Sequence, residues 1–168
     1  MLRVAHSILG VLNALNWVLG VLAILAFAIL SIVRPPLVFS EFAEQFTPAQ
    51  LDALTVWLLV SAGVTLVVMP LAHLIFTRLR AMIADTQDGE PFAPQSVQRL
   101  RTIAWSLLGI SAADLVFGLV SVEVSEATGE YLGWSPSLTP WLAAGMLFIL
   151  ARIFAEGVAM RADLEGTV

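Results

Sequence analysis

Four long uncharged runs dominate the chain: Val4 to Val33, Ala53 to Thr77, Thr102 to Ala113 and Tyr131 to Ala151. Crossing a hydrocarbon core about 30 Å thick takes roughly 20 helical residues, so the first two suffice as they stand. The third reaches that length, as Ile103 to Val122, once Asp114 is accepted inside it. The fourth, taken from Trp141, leaves the apolar zone near Val158 after passing Arg152. A charge inside a span costs about 2.5–3.5 kcal/mol on insertion scales, which segments this rich in Leu, Val, Ile and Phe offset. A β-barrel would instead show alternating segments of about 10 residues. With 59% hydrophobic residues, against roughly 45–50% in soluble domains, a soluble fold could not hide this surface. The expected fold class is all-α: a polytopic membrane protein with four transmembrane helices in an antiparallel bundle. A single membrane domain covers 1–168, with spans at about 8–33, 54–76, 103–122 and 141–158, a turn at 86–93 and a tail at 159–168.

The charges give the expected orientation. All eight basic residues are Arg. Arg3 precedes the first span, Arg78, Arg80, Arg99 and Arg101 lie between the second and third, and Arg161 follows the fourth; only Arg34 falls on the other side. The connection between the third and fourth spans carries Glu123, Glu126 and Glu130 without a base. The positive-inside rule then places both termini and the middle turn in the cytoplasm. Ala26-Phe27-Ala28 resembles a signal cleavage site, but the apolar run is too long for a signal peptide and continues past it, so an uncleaved first span is expected. The chain has no cysteine, which excludes disulfides, thiolate metal sites and a cysteine nucleophile.

Proline and glycine mark the helix ends. Arg34-Pro35-Pro36 ends the first span, since proline cannot donate to the helical ladder. Thr47-Pro48-Ala49-Gln50 reads as an N-cap with proline at the first helical position and a Gln able to close a capping box. That helix is expected to run past its apolar section to about Asp85, with a kink at Pro70. Asp88-Gly89 is the tightest point of the turn, and Pro94 opens the third helix, whose Val97, Leu100, Ile103 and Ala104 follow helical spacing.

The stretch Asp88-Gly89-Glu90-Pro91-Phe92-Ala93-Pro94, followed by Val97-Gln98-Arg99-Leu100-Arg101-Thr102-Ile103-Ala104-Trp105, resembles the signature loop of the bacterial DUF2975 membrane-protein family. The C-terminal Leu150-Ala151-Arg152-Ile153-Phe154-Ala155-Glu156-Gly157 and Met160-Arg161-Ala162-Asp163-Leu164-Glu165-Gly166-Thr167-Val168 resemble its terminal motif. The resemblance implies a small four-helix protein of the bacterial cytoplasmic (inner) membrane with no assigned activity, often encoded beside a short helix-turn-helix regulator of the XRE type. Two departures bear on the start of the third helix: Ala93 stands where the pattern usually has a capping Ser or Thr, and Gln95-Ser96 replaces the more usual Glu-Asn.

Asp114 and Arg152 are the charges nearest mid-membrane, and an intramembrane charge must find a partner or a water-filled cavity. On antiparallel helices their depths differ by about a turn. They read as an ion pair fixing helix packing, as a proton- or ion-linked pair, or, for Arg152, as an i,i+4 pair with Glu156. Asn13 and Asn16 are expected to hydrogen-bond across helices, contributing about 1 kcal/mol each, or to line a polar interior together with Glu156. His6 and His73 are the only histidines; a bis-histidine haem or a metal held with Glu156 is conceivable, but no cofactor is expected. Arg78, Arg80, Arg99, Arg101, Arg161, Asp163 and Glu165 form the expected cytoplasmic interaction surface. Its candidate partners are a soluble helix-turn-helix regulator and anionic lipid. No Walker A, GxSxG, HExxH or DxDxDG pattern is present, nor a basic nucleic-acid-binding domain, so neither an enzyme nor direct nucleic-acid binding is expected. A multi-pass regulatory, sensory or interaction protein acting through its loop and tail is the first functional expectation. A small transporter or channel component using Asp114 and Arg152 is the alternative, and a haem- or metal-binding membrane protein the third.

Overall fold

The computed structural model describes residues 2–32, 46–89 and 93–165, the side chains of 30–32 and 161–165 apart. Four helices account for almost all of it: α1 (Leu2–Ile32), α2 (Pro48–Gln87), α3 (Pro94–Thr128) and α4 (Thr139–Glu165), with no strand among the described residues. Each is long and apolar enough to cross a membrane, with mean hydropathies of 2.2, 2.2, 1.9 and 1.8 over its most apolar stretch. The chain is an all-α, multi-pass membrane protein.

The helix ends follow the local chemistry. The Thr47 amide N–H donates to Gln50 Oε1 at 2.9 Å and the Gln50 N–H donates back to Thr47 Oγ1 at 3.4 Å, closing the expected capping box. Pro48 and Pro94 are the first residues of their helices, where a missing N–H costs nothing. α2 runs unbroken through Pro70 and ends two residues beyond the expected Asp85, at Gln87. Gly89 adopts φ 86° and donates its N–H to the Thr86 carbonyl at 3.3 Å, the left-handed stop that glycine alone adopts without steric cost. Ala93, which stands where the pattern usually has a capping Ser or Thr, is buried, and its carbonyl accepts the Ser96 N–H at 2.8 Å. The third helix therefore starts on a tight backbone turn and on burial rather than on a side-chain cap. The proposed end of α1 at Arg34-Pro35-Pro36 lies outside the described residues.

The chain divides into two compact units, one of Met1–Asn16, Pro70–Ser111 and Leu138–Val168, the other of Trp17–Met69 and Ala112–Ser137. In the first, α3 is the most buried element: Ala93, Ser96, Leu100, Ile103, Ala104 and Ser106 are all nearly inaccessible. Gly109 lets α2 approach, since a Cβ there would stand 2.9 Å from Leu71 Cδ1. The Trp105 and Phe148 rings meet edge-on at 5.3 Å.

In the second unit, Trp57 Nε1 of α2 donates to the buried Ser121 Oγ of α3 at 2.9 Å, and Trp57 packs on Phe117 with ring centroids 5.9 Å apart. Gln50 does double duty: its Nε2 reaches the Ala127 and Thr128 carbonyls at 3.3 and 3.4 Å, capping the C-terminal end of α3 from the start of α2. The segment after α3 folds back along that helix. Leu132 N–H donates to Ser125 Oγ at 3.1 Å, and the Trp134 indole lies directly on Gly118, about 15 Å before the end of α3 by helical rise. At the face of α1, Gly20 gives the same access to Met69.

Two glycines therefore make opposite predictions. Gly118→Ala places a methyl in the space of the Trp134 ring and should destabilise the protein by about 1–3 kcal/mol, whereas Gly63→Ala, with no atom within 4 Å of the added Cβ, should be neutral or stabilising by up to about 1 kcal/mol. Thermal unfolding in detergent micelles measures both. Equal losses at the two positions would contradict the placement of Trp134.

Candidate functional site at the turn between the second and third helices

α2 and α3 both outrun their apolar sections at the turn. From Thr77 to Gln87 is ten residues, about 15 Å, and from Pro94 to Thr102 eight residues, about 12 Å. Apolar side chains would gain nothing there, and the overhang carries Arg78, Arg80, Asp85, Arg99 and Arg101, with Asp88 just beyond it in the turn.

The four arginines, alike in sequence, occupy three different environments. Arg99 Nη1 of α3 bonds Asp85 Oδ2 of α2, with the side chains only 17% and 23% exposed. A charge pair so sheltered is screened less than a surface pair and ties the two helices together at the base of the turn. Arg78 and Arg101 are exposed. Arg80 is half-buried and turns toward α1, its guanidinium carbon 3.7 Å from where a Gly10 Cβ would stand. The expected interaction surface thus keeps Arg78 and Arg101 as outward cations, with Arg99 neutralised and Arg80 committed to a helix contact. Arg161, Asp163 and Glu165 lie in the helical continuation of α4, and their side chains fall outside the described residues.

The remaining polar candidates are distributed among the helices. His73 Nδ1 donates to Asn13 Oδ1 at 2.8 Å. This joins α2 to α1 and fixes the proton on Nδ1, because an amide oxygen can only accept. His6, Gly10, Asn13, Asn16 and Gly20 follow one another at three- and four-residue spacing on the shielded stripe of α1, while most of its other side chains are exposed. Each polar residue on this stripe of α1 is thereby directed to protein and the exposed apolar ones to lipid. Among the described residues no three His, Asp or Glu side chains converge as metal ligands. Arg152 Nε donates to Glu156 Oε1 at 2.9 Å along α4, with side chains 78% and 63% exposed. This is the i,i+4 arrangement among the three that the sequence allowed for Arg152. Asp114 is exposed on α3, in the other unit from Arg152.

Sequence reasoning missed the Gly10–Arg80 and Gly118–Trp134 contacts and the bridge from Gln50 to α3. Gly10 carried a usable signal, since it lies on the same stripe as His6 and Asn13; the other two depend on which helix lies alongside.

Removing either half of the Arg99–Asp85 pair strands a sheltered charge. Asp85→Asn and Arg99→Gln should each lower stability by about 1–3 kcal/mol, and the double variant should lose clearly less than the sum. A double-mutant cycle on micellar unfolding tests this. Strict additivity would show that the pair does not tie the helices.

The comparisons place the chain among known sequences. A family model described as "Protein of unknown function (DUF2975)" matches residues 71–168, more than half of the chain and the part that contains the turn, α3 and α4. Neither a curated protein nor a solved structure matches. The matched region includes both stretches on which the resemblance was drawn, and the chain belongs to the DUF2975 family.

Proposed function

We propose that this protein is a regulatory or sensory component of the bacterial cytoplasmic membrane, not an enzyme, and that it acts by presenting the α2–α3 turn to a soluble partner. The observation that carries the reading is the turn itself: a helical overhang cross-tied by Arg99 and Asp85, with Arg78 and Arg101 left exposed. Exposed cations on a braced support favour binding of an acidic surface, because little backbone entropy remains to be lost. The helical continuation of α4 to Glu165 belongs to the same compact unit and supplies a second element for such a surface. The arginine distribution supports a cytoplasmic location for this end, and the family resemblance supports a helix-turn-helix regulator as the partner. The transporter alternative needs Arg152 and Asp114 to act together. Arg152 is engaged by Glu156, so that alternative draws less support.

Affinity purification of the tagged chain from its native membranes should recover a soluble helix-turn-helix protein, and Arg78→Glu/Arg101→Glu should cut that recovery at least about tenfold, as expected when two cations facing an acidic surface are reversed. Equal recovery with the double variant, or no such protein with the wild type, would remove the reading.

A further inference from the structure

Gly118, Ser121 and Ser125 follow one another at three- and four-residue spacing in the last turns of α3 and share one face of that helix with Val122. The helix ends at Thr128, and Gly129, at φ 75°, turns the chain back, its N–H donating to the Ser125 carbonyl at 2.9 Å. The returning segment is held at two heights. Leu132 N–H donates to Ser125 Oγ at 3.1 Å, and the Trp134 ring lies on Gly118. The Tyr131 hydroxyl donates to the Trp134 carbonyl at 3.2 Å, which closes the segment on itself. Small side chains on the helix face leave a cavity under this segment. It has a volume of about 150 Å³ and is lined by Ser121, Val122, Ser125, Glu126, Tyr131 and Trp134. Val122 is the last residue of the apolar run and Glu123 the first charge after it, so the cavity lies at the membrane boundary, at the opposite end of α3 from the turn at Asp88.

The polar side chains that line this cavity present acceptors. Ser121 Oγ and Ser125 Oγ direct their hydrogens to the Phe117 and Ser121 carbonyls at 2.9 and 2.7 Å. The hydroxyl hydrogen of Tyr131 goes to the Trp134 carbonyl, and the indole N–H of Trp134 is buried. What remains is acceptor capacity. Ser125 Oγ receives the Leu132 N–H, which leaves one of its two lone pairs open, and an ionised Glu126 can only accept. Glu126 is exposed. The charge of the surrounding sequence has the same sign: between Arg101 and Arg152 stand Asp114, Glu123, Glu126 and Glu130, with no Arg, Lys or His.

Acceptors, a carboxylate and two electron-rich rings in one cavity select a cation, since the ring quadrupoles of Trp and Tyr attract positive charge as the carboxylate does. The donor set does not suit a bare metal ion. Calcium takes about six to eight oxygen ligands, against one carboxylate and one open hydroxyl lone pair here, and no three His, Asp or Glu side chains converge among the described residues. An organic ammonium ion fits both halves of the lining. Its N–H groups meet Glu126 and Ser125, and its methylene groups meet Val122 and the rings. The size agrees, because a cavity of roughly 150 Å³ accepts a molecule as large as benzene.

We propose that the cavity between the last turns of α3 and the returning segment binds a small organic ammonium ion, with Glu126 as its counter-charge, Ser125 Oγ as an acceptor and the Tyr131 and Trp134 rings against it. This site does not depend on the docking role of the α2–α3 turn. The same ammonium group is offered by free ethanolamine and by the headgroup of phosphatidylethanolamine. In purified full-length protein in uncharged detergent near neutral pH, one or both should raise the unfolding midpoint in a saturable way. The uncharged isostere propanol and the anionic lipid phosphatidylglycerol should not. Whichever of the two amines acts at the lower concentration identifies the source, a free amine or a lipid headgroup. Glu126→Gln should weaken the apparent affinity at least about tenfold, as expected when the carboxylate facing a bound cation is neutralised. Glu123→Gln, which removes an exposed carboxylate of the same helix that does not line the cavity, should retain it. Equilibrium dialysis of labelled ethanolamine and native mass spectrometry with phosphatidylethanolamine, both on the wild-type chain, give readouts independent of any variant. A response to propanol equal to that of ethanolamine, a Glu126→Gln affinity equal to wild type, or no saturable binding of either amine would each overturn the proposal.

Discussion

Everything in this protein follows from the absence of water as a hydrogen-bonding partner along four stretches of its backbone. In hydrocarbon an unpaired N–H or C=O costs several kcal/mol, and a helix is the one local structure that pairs them all within a segment. The same rule governs the hydroxyl groups. Thr55, Ser61, Thr65, Ser111, Ser121, Ser125 and Thr128 each donate to the carbonyl four residues back at 2.6–2.9 Å. A serine that satisfies itself in this way can then accept from a neighbour, as Ser121 does from Trp57. Close approach of elements rests on residues that lack bulk: Gly20 under Met69, Gly109 beside Leu71 and Gly118 under Trp134.

Polar side chains are divided by what the lipid tolerates. Between helices Asn13 meets His73 and Trp57 meets Ser121, and such bonds contribute about 1 kcal/mol each because the unfolded chain in a membrane also finds partners. Their larger effect is on register, since each bond fixes one height of one helix against another. Apart from Asp114, which is exposed within the third span, charged side chains gather mostly beyond the apolar stretches, where Arg99 and Asp85 brace the turn. Arg152 and Glu156 sit nearer the interior and neutralise each other on one helix, an arrangement that lets the longer arginine extend along α4.

The elements fixed by local chemistry were legible in the sequence. The apolar runs, the Thr47–Gln50 capping box, proline as the first residue of α2 and α3, and the spacing of Leu100, Ile103 and Ala104 all describe what a segment does alone, and the structure repeats them. What depends on neighbours was not legible. Arg78, Arg80, Arg99 and Arg101 have the same chemistry and similar spacing, and their separation into exposed, seated and paired side chains is set by whether Gly10 or Asp85 lies across from them. The same holds for Trp134: its sequence position suits the membrane boundary, but its docking on Gly118 requires the connection after α3 to fold back. Family membership, shown by the match over residues 71–168, adds no activity.

The central claim is that each of the four helices crosses the membrane, so that the turn at Asp88 lies on one side and the segments around Thr47 and Tyr131 on the other. The chain has no cysteine, so single cysteines introduced as Thr47→Cys, Asp88→Cys and Tyr131→Cys report unambiguously to a membrane-impermeant maleimide. With the membrane sealed, the reagent should label from one side either the variants at 47 and 131 or the variant at 88, and the remaining set only once the membrane is opened. Labelling of all three from the same side would contradict the four-span architecture.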